Sequence, residues 1–264
     1  MSRQPAAPPP QRGIQSIEVG GALLKALAHQ GRPLALKDLA AEAGMAPAKA
    51  HPYLVSFGKL GLIEQDAASG RYGLGPLAMQ MGLISLQQLD PVALATPVIE
   101  SLASACGHTV AMVVWGNRGA TVVRIAQSPR PVHVSMRHGT VMSLRGTASG
   151  RLFAAWLPRA AVLPVLRAEA RLAGLPREGH FDSALCVDLD AVRAAGISRA
   201  KDLVLPGISA LAAPVWDSNG ALVLSLTAIG PTAMFDSRVK GPVAKALLGA
   251  AATLSARLGQ LARA

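Results

Sequence analysis

Within the first 75 residues the apolar pattern changes period, and this change restricts the possible folds more than any other feature of the chain. Ile17, Leu24, Leu27 and Ala28 recur at helical spacing until Gly31 ends the run. A second, short helix is predicted over Ala35–Ala43, with Leu36, Leu39, Ala40 and Ala43 inward and no Ser, Thr or Asp to cap its start. Gly44 then supplies a residue that turns readily with positive φ. Pro47, suited to a first helical turn, opens a third helix that runs to about Lys59 with Ala50, Leu54 and Phe57 inward. Two extended runs, Leu62-Ile63-Glu64 and Arg71-Tyr72-Gly73-Leu74, flank the turn Asp66-Ala67-Ala68-Ser69-Gly70 and read as a hairpin. Helix, helix, turn, helix and hairpin is the order of a winged helix-turn-helix, which docks on double-stranded DNA.

Leu77–Leu89 reads as a linker helix, ended by Asp90-Pro91. Beyond it a helix at Val92–Ala105 leads into strand-like runs Thr109–Trp115 and Ala120–Ala126. Helices follow at Arg145–Leu157 and Ala160–Ala173. Strands Ile208–Trp216 and Ala221–Ile229 flank Asp217-Ser218-Asn219-Gly220, whose Asn-Gly step is a hairpin signal. A long helix, Ser237–Leu261, closes the chain. The expectation is an α/β (α+β) protein: a disordered arm at 1–13 with Pro8-Pro9-Pro10, a winged helix-turn-helix at 14–75, a linker helix at 76–90, and a sensor domain at 91–264 with a mainly antiparallel sheet.

The 264 residues are 51% hydrophobic and 16% charged, which permits a large core and excludes a disordered chain. With aromatics at 3%, that core must be built mainly from Ala, Val, Leu and Ile. A net charge of +11 suits a polyanionic partner. Residues 1–90, however, carry 8 basic against 6 acidic side chains, and 91–264 carry 18 against 9, so most of the excess lies outside the segment assigned to DNA. Cys106 and Cys186 are far apart and read as reduced, buried thiols. Charges, Gly or Pro interrupt the apolar stretches before they reach membrane-spanning length, and the N-terminus lacks the order of an export signal, so a cytoplasmic protein with no membrane partner is expected.

No phosphate-binding glycine loop or metal motif is present, so neither cofactor nor metal is expected. Gly146-Thr147-Ala148-Ser149-Gly150 misses the spacing of a nucleophile loop by one place. His108, His133 and His138 have no evident acidic partner, and Cys186 has no nearby His. These residues fit structural or surface roles better than catalytic ones, so an enzyme is not expected.

Six stretches, in this order and spacing, resemble the IclR family of bacterial regulators. They are Ile14-Gln15-Ser16-Ile17-Glu18, the segment from Gly44 to Gly61, Gly70-Arg71-Tyr72-Gly73-Leu74-Gly75, Thr147-Ala148-Ser149-Gly150, the segment from Pro206 to Pro214, and Thr227-Ala228-Ile229-Gly230-Pro231. The resemblance covers residues 14–264. It implies a winged helix-turn-helix, a GAF-like effector-binding domain, and a homodimer or homotetramer. The apolar Leu83, Leu86 and Leu89 of the linker region independently point to at least a dimer.

Lys49, His51 and Tyr53 are the candidates for base edges or phosphates, with Lys59 nearer the DNA backbone and Arg71 beside the wing turn. Tyr53 suits the core equally well. The family's recognition helix usually opens with Lys-Ser-Thr and continues to an Arg, whereas here those places hold Pro47, Ala48, Lys49 and Pro52. A proline inside a helix costs about 3 kcal/mol, so this helix is expected to kink or to start late.

The resemblance also implies an effector pocket built from Thr147, Ala148 and Ser149, from the strand holding Ala210, and from the strand holding Thr227 and Ile229, with Met142 and Leu144 beside it. Strand periodicity by itself puts Thr227 and Ile229 on one face. Family members that recognise small polar acids carry Asp, Cys, Ser and Ser where this chain has Ala200, Ala210, Thr227 and Ile229. That exchange points to an amphipathic small organic acid, aromatic or of medium chain length, or to a similarly amphipathic metabolite. The alternative is a small-molecule-binding protein, or a minor enzyme, with lost or weakened DNA binding.

Overall fold

The computed structural model describes residues 13–127, 136–175 and 179–260, with Leu86 described by its backbone alone. The proline-rich run and His133 therefore lie outside the described residues. The chain divides into two compact units, Met1–Leu89 and Asp90–Ala264. No helix among the described residues is long and apolar enough to cross a membrane.

In the first unit, helix α1 (Gln15–Gln30) ends where Gly31, at φ 64°, donates its N–H to the carbonyl of Leu27. Helix α2 (Leu36–Glu42) starts from Ala35 without a side-chain cap. Gly44, at φ 67°, turns the chain, and the N–H of Met45 closes the turn on the carbonyl of Ala40. Helix α3 (Pro47–Lys59) follows, then an antiparallel hairpin of β1 (Ile63–Gln65) and β2 (Tyr72–Leu74). Leu23, Leu27, Leu39, Ala50, Leu54 and Ile63 form the core between these elements. Full burial stabilises each such Leu or Ile side chain by about 1.5–3 kcal/mol. Helix α4 (Pro76–Gln88) ends the unit.

The late start expected of α3 does not occur. Its first turn is complete before Pro52, with the N–H groups of Lys49 and Ala50 donating to the carbonyl of Ala46, and the helix is unbroken to Lys59. Pro52 removes a single donor from a helix already under way.

The second unit opens with α5 (Pro91–Cys106), whose start is capped by Asp90 accepting from the N–H groups of Val92 and Ala93. Strands β3 (Thr109–Gly116) and β4 (Gly119–Ala126) lead to helices α6 (Ala148–Trp156), α7 (Arg159–Leu172) and α8 (Ser183–Ala195). Strands β5 (Ser198–Lys201), β6 (Ile208–Trp216) and β7 (Leu222–Pro231) follow, then α9 (Pro242–Arg257). The five strands form one antiparallel sheet in the order β4-β3-β7-β6-β5. Helices α5 and α9 pack on one of its faces. On the other, α6, α7 and α8 bury Phe153, Leu166 and Leu189 against Ala111, Val113, Ala212 and Ile229.

Four features differ from the sequence reading. Helix α6 begins at Ala148, not Arg145, because the Thr147 hydroxyl accepts from the N–H of Gly150 and fixes the helix start there. Helix α9 begins at Pro242, after Gly241, and not at Ser237. Helix α8 and strand β5 are absent from the periodicity reading altogether. Cys106 and Cys186 are only half-buried.

Candidate functional site

Helices α2 and α3, with the Gly44 turn between them, form the helix-turn-helix. Lys49, His51 and Lys59 are exposed on α3. Tyr53 is half-buried and packs against the core of the first unit. The reason lies on α1, where a Cβ at Gly20 would stand 2.8 Å from Tyr53 Cδ1 and 2.9 Å from Phe57 Cζ. The missing side chain lets both rings lie against the α1 backbone, so Tyr53 takes the core role that the sequence left open. In the wing, one carboxylate oxygen of Asp66 accepts from the N–H and the hydroxyl of Ser69, each at 2.6 Å. These bonds, the side-chain one first, hold the Asp66 carboxyl below the usual carboxylate range. Arg71 follows this fixed turn and is exposed.

In the second unit a cavity of about 560 Å³ opens between the start of α6, strands β5, β6 and β7, and the segments around 136–143 and 203–205. Met142, Thr147, Ala148, Ser149, Ala200, Ala210, Thr227 and Ile229 all line it. Leu144 does not: it is fully buried in the core, with its N–H donated to Glu169 Oε2 at 2.9 Å. The turn at 143–146 carries Ser143 toward the cavity and Leu144 away from it.

The cavity's polar side chains are the hydroxyls of Thr140, Ser143, Thr147, Ser149, Ser209 and Thr227 and the guanidinium of Arg137. The Ser149 and Thr227 hydroxyls are bonded to each other at 2.9 Å. The N–H groups of Ala148 and Ser149, in the first turn of α6, find no acceptor among the described residues. Arg137, exposed, also lines the cavity. Most of the remaining wall is apolar: Met136, Val141, Leu203, Val204, Leu205 and Ile208.

Residues outside the expected cavity lining hold this arrangement in place. Glu169 on α7 accepts from the hydroxyl of Ser143 as well as from Leu144, tying α7 to the turn before α6. Gly150 sits so close to that turn that a Cβ would stand 2.0 Å from the carbonyl oxygen of Ser143. Arg145 pairs with Asp182 at 2.7 Å and Arg151 with Asp188 at 2.9 Å, linking α6 and the turn before it to α8 and its cap. The segment 203–205 is anchored by Asp202, whose carboxylate accepts from the N–H of Gly207 at 2.8 Å and from the Thr232 hydroxyl at 2.7 Å. Val204 reaches across to Gly146, where a Cβ would lie 2.5 Å from Val204 Cγ2.

Comparison with known proteins decides the family. The profile described as "Bacterial transcriptional regulator IclR C-terminal" matches residues 84–256, and the one described as "IclR helix-turn-helix domain" matches residues 16–67. The chain belongs to the IclR family. Among its relatives, the Glycerol operon regulatory protein of Streptomyces coelicolor is 32% identical over 212 residues, covering 78% of this chain and 80% of that protein. The Transcriptional repressor IclR of Escherichia coli is 26% identical, covering 90% and 88%. The crystal structure of Pseudomonas aeruginosa HmgR is 36% identical, covers 95% of this chain and 100% of that one, and superposes with a TM-score of 0.85. This IclR-family chain is thus a transcriptional regulator with a DNA-binding helix-turn-helix and a C-terminal effector-binding region.

Proposed function

We propose that this regulator binds a small, amphipathic organic acid in the cavity of its second unit, and that the acid alters binding of its first unit to double-stranded operator DNA in the cytoplasm. Residues 14–75 act as the winged helix-turn-helix, 76–90 as the linker helix, and 91–264 as the effector-binding domain. Lys49, His51, Lys59 and Arg71 serve as the DNA contacts. Met142, Thr147, Ala148, Ser149, Ala200, Ala210, Thr227 and Ile229 serve as the effector contacts, in a homodimer or homotetramer.

The observation that carries this reading is the chemistry of the cavity wall. A mainly apolar lining with scattered Ser and Thr hydroxyls, two amides at the start of α6 that find no acceptor among the described residues, and the Arg137 guanidinium suits a ligand with an apolar body and a single anionic end. A small, very polar acid would leave groups unpaired against Ala200, Ala210 and Ile229, at about 1–3 kcal/mol for each buried group. An apolar ring or chain gains about 25 cal/mol for each Å² buried there. Calorimetric titration with benzoate-like acids beside glyoxylate- and pyruvate-like ones tests the proposal. Tighter binding of the aromatic acids is expected, and tighter binding of the small polar acids would overturn it.

A further inference from the structure

On the DNA-binding reading of α3, we propose that the middle of its outward face selects operator sequence through thymine methyl groups and not through hydrogen bonds to base edges. Steps of four, three and four residues place Ala48, Pro52, Val55 and Lys59 in one stripe along the helix. This stripe lies opposite the buried Ala50 and Leu54, and all four of its side chains are exposed, Val55 at 45%. Its first three members are a methyl, a pyrrolidine ring and an isopropyl group. None donates or accepts a hydrogen bond.

The polar groups of α3 sit to the sides or at the end. At ~100° per residue, Lys49 and His51 fall on opposite flanks, each roughly 70–90° around the helix from the stripe. The Ser56 hydroxyl is turned back into the helix, donating to the carbonyl of Pro52 at 2.9 Å. Lys59 continues the stripe only at the last helical residue. Tyr53 is half-buried and packs against the core of the unit.

A helix lying in the major groove offers the middle of its outward face to base edges and its flanks to the groove walls, where the phosphates are. Lys49 and His51 are thus placed for opposite walls. Ala48, Pro52 and Val55 meet the base edges. The thymine 5-methyl is the major-groove group that an apolar surface distinguishes, because the other edges present donors and acceptors that would lose water without gaining a partner. The stripe therefore favours A·T pairs at the base positions beneath it and reads which strand carries the thymine.

The test uses the full chain on DNA from upstream of its own gene. A footprint locates the bound segment, which is then synthesised with deoxyuridine in place of each protected thymine, one at a time, so that only the methyl is removed. A loss of roughly fourfold in affinity is expected for each contacted methyl, corresponding to about 0.8 kcal/mol for one buried carbon. With Val55→Ala, an exposed change that keeps the helix, the deoxyuridine penalty should shrink at the position beneath Val55, which separates contact from any change in DNA shape. Wild-type binding that is indifferent to every such replacement overturns the methyl proposal alone. Binding to the upstream DNA no tighter than to random DNA of equal length overturns the DNA-binding reading as well.

Discussion

Thr227 carries one of the polar contacts inside the cavity, and its hydroxyl is shared with Ser149. Thr227→Val should weaken an amphipathic acid about fivefold, the effect of about 1 kcal/mol for one neutral hydrogen bond, as read by calorimetry. Ala210→Asp, which sets a charge against the apolar wall, should abolish binding. Arg137→Ala should weaken the acid but leave its uncharged amide analogue unaffected; equal losses for both would remove Arg137 from the site. Thr147, Ser149 and Thr227 were legible in the sequence because they sit in stretches that resemble the family's. Arg137 was not, since residues 127–147 show no period that would assign them a face. Tyr53 could not be settled from sequence either, because its partner Gly20 is a contact between two helices.

At the scale of elements, the cavity depends on how α6 is held. Gly150→Ala should destabilise the second unit by about 1–3 kcal/mol, because the new methyl must displace the backbone of the turn at Ser143. Thermal denaturation measures this, and an unchanged midpoint would contradict the packing described. Helix α8 is tied to the turn before α6 through Asp182, whose carboxyl lies below the usual carboxylate range owing to the N–H of Leu185 first and the Arg145 guanidinium second. A carboxyl depressed in the folded state contributes stability above its unfolded pKa and loses that contribution as pH falls through its folded value. Asp182→Asn should therefore be less stable than the wild type at neutral pH, with the difference shrinking below about pH 4. A gap in stability that is independent of pH would contradict this. Helix α8 had a readable signature, with Asp182 as cap, Leu185, Leu189 and Val192 in helical steps, and Gly196 as terminator. Strand β5 had none: Ser198-Arg199-Ala200-Lys201 contains no β-branched or aromatic residue and is defined by its pairing with β6. The start of α9 at Pro242 lay in the Gly241-Pro242 step, which apolar spacing passes over.

At the scale of the whole molecule, sequence pattern was enough for the order of elements through the winged unit and for an antiparallel sheet, because both follow from changes of period and from turn residues. Assembly belongs to this scale. Helix α4 leaves Met79, Met81, Leu83 and Ile84 exposed, while Leu89 is half-buried. A protein with this much apolar surface on one helix is expected to be at least a dimer, and a monomer by light scattering at micromolar concentration would contradict that. Under the proposed function, effector can alter operator binding only if the arrangements of the chain bind each ligand unequally. Such coupling is reciprocal: the factor by which acid changes operator affinity must equal the factor by which operator changes acid affinity. The most direct test is the dissociation constant for DNA from upstream of the gene, measured at fixed salt with and without a saturating aromatic carboxylate. A change of roughly 5- to 150-fold, matched by an equal change in acid affinity on adding the DNA, is the predicted result. An operator affinity unaltered by a ligand that demonstrably fills the cavity would contradict it.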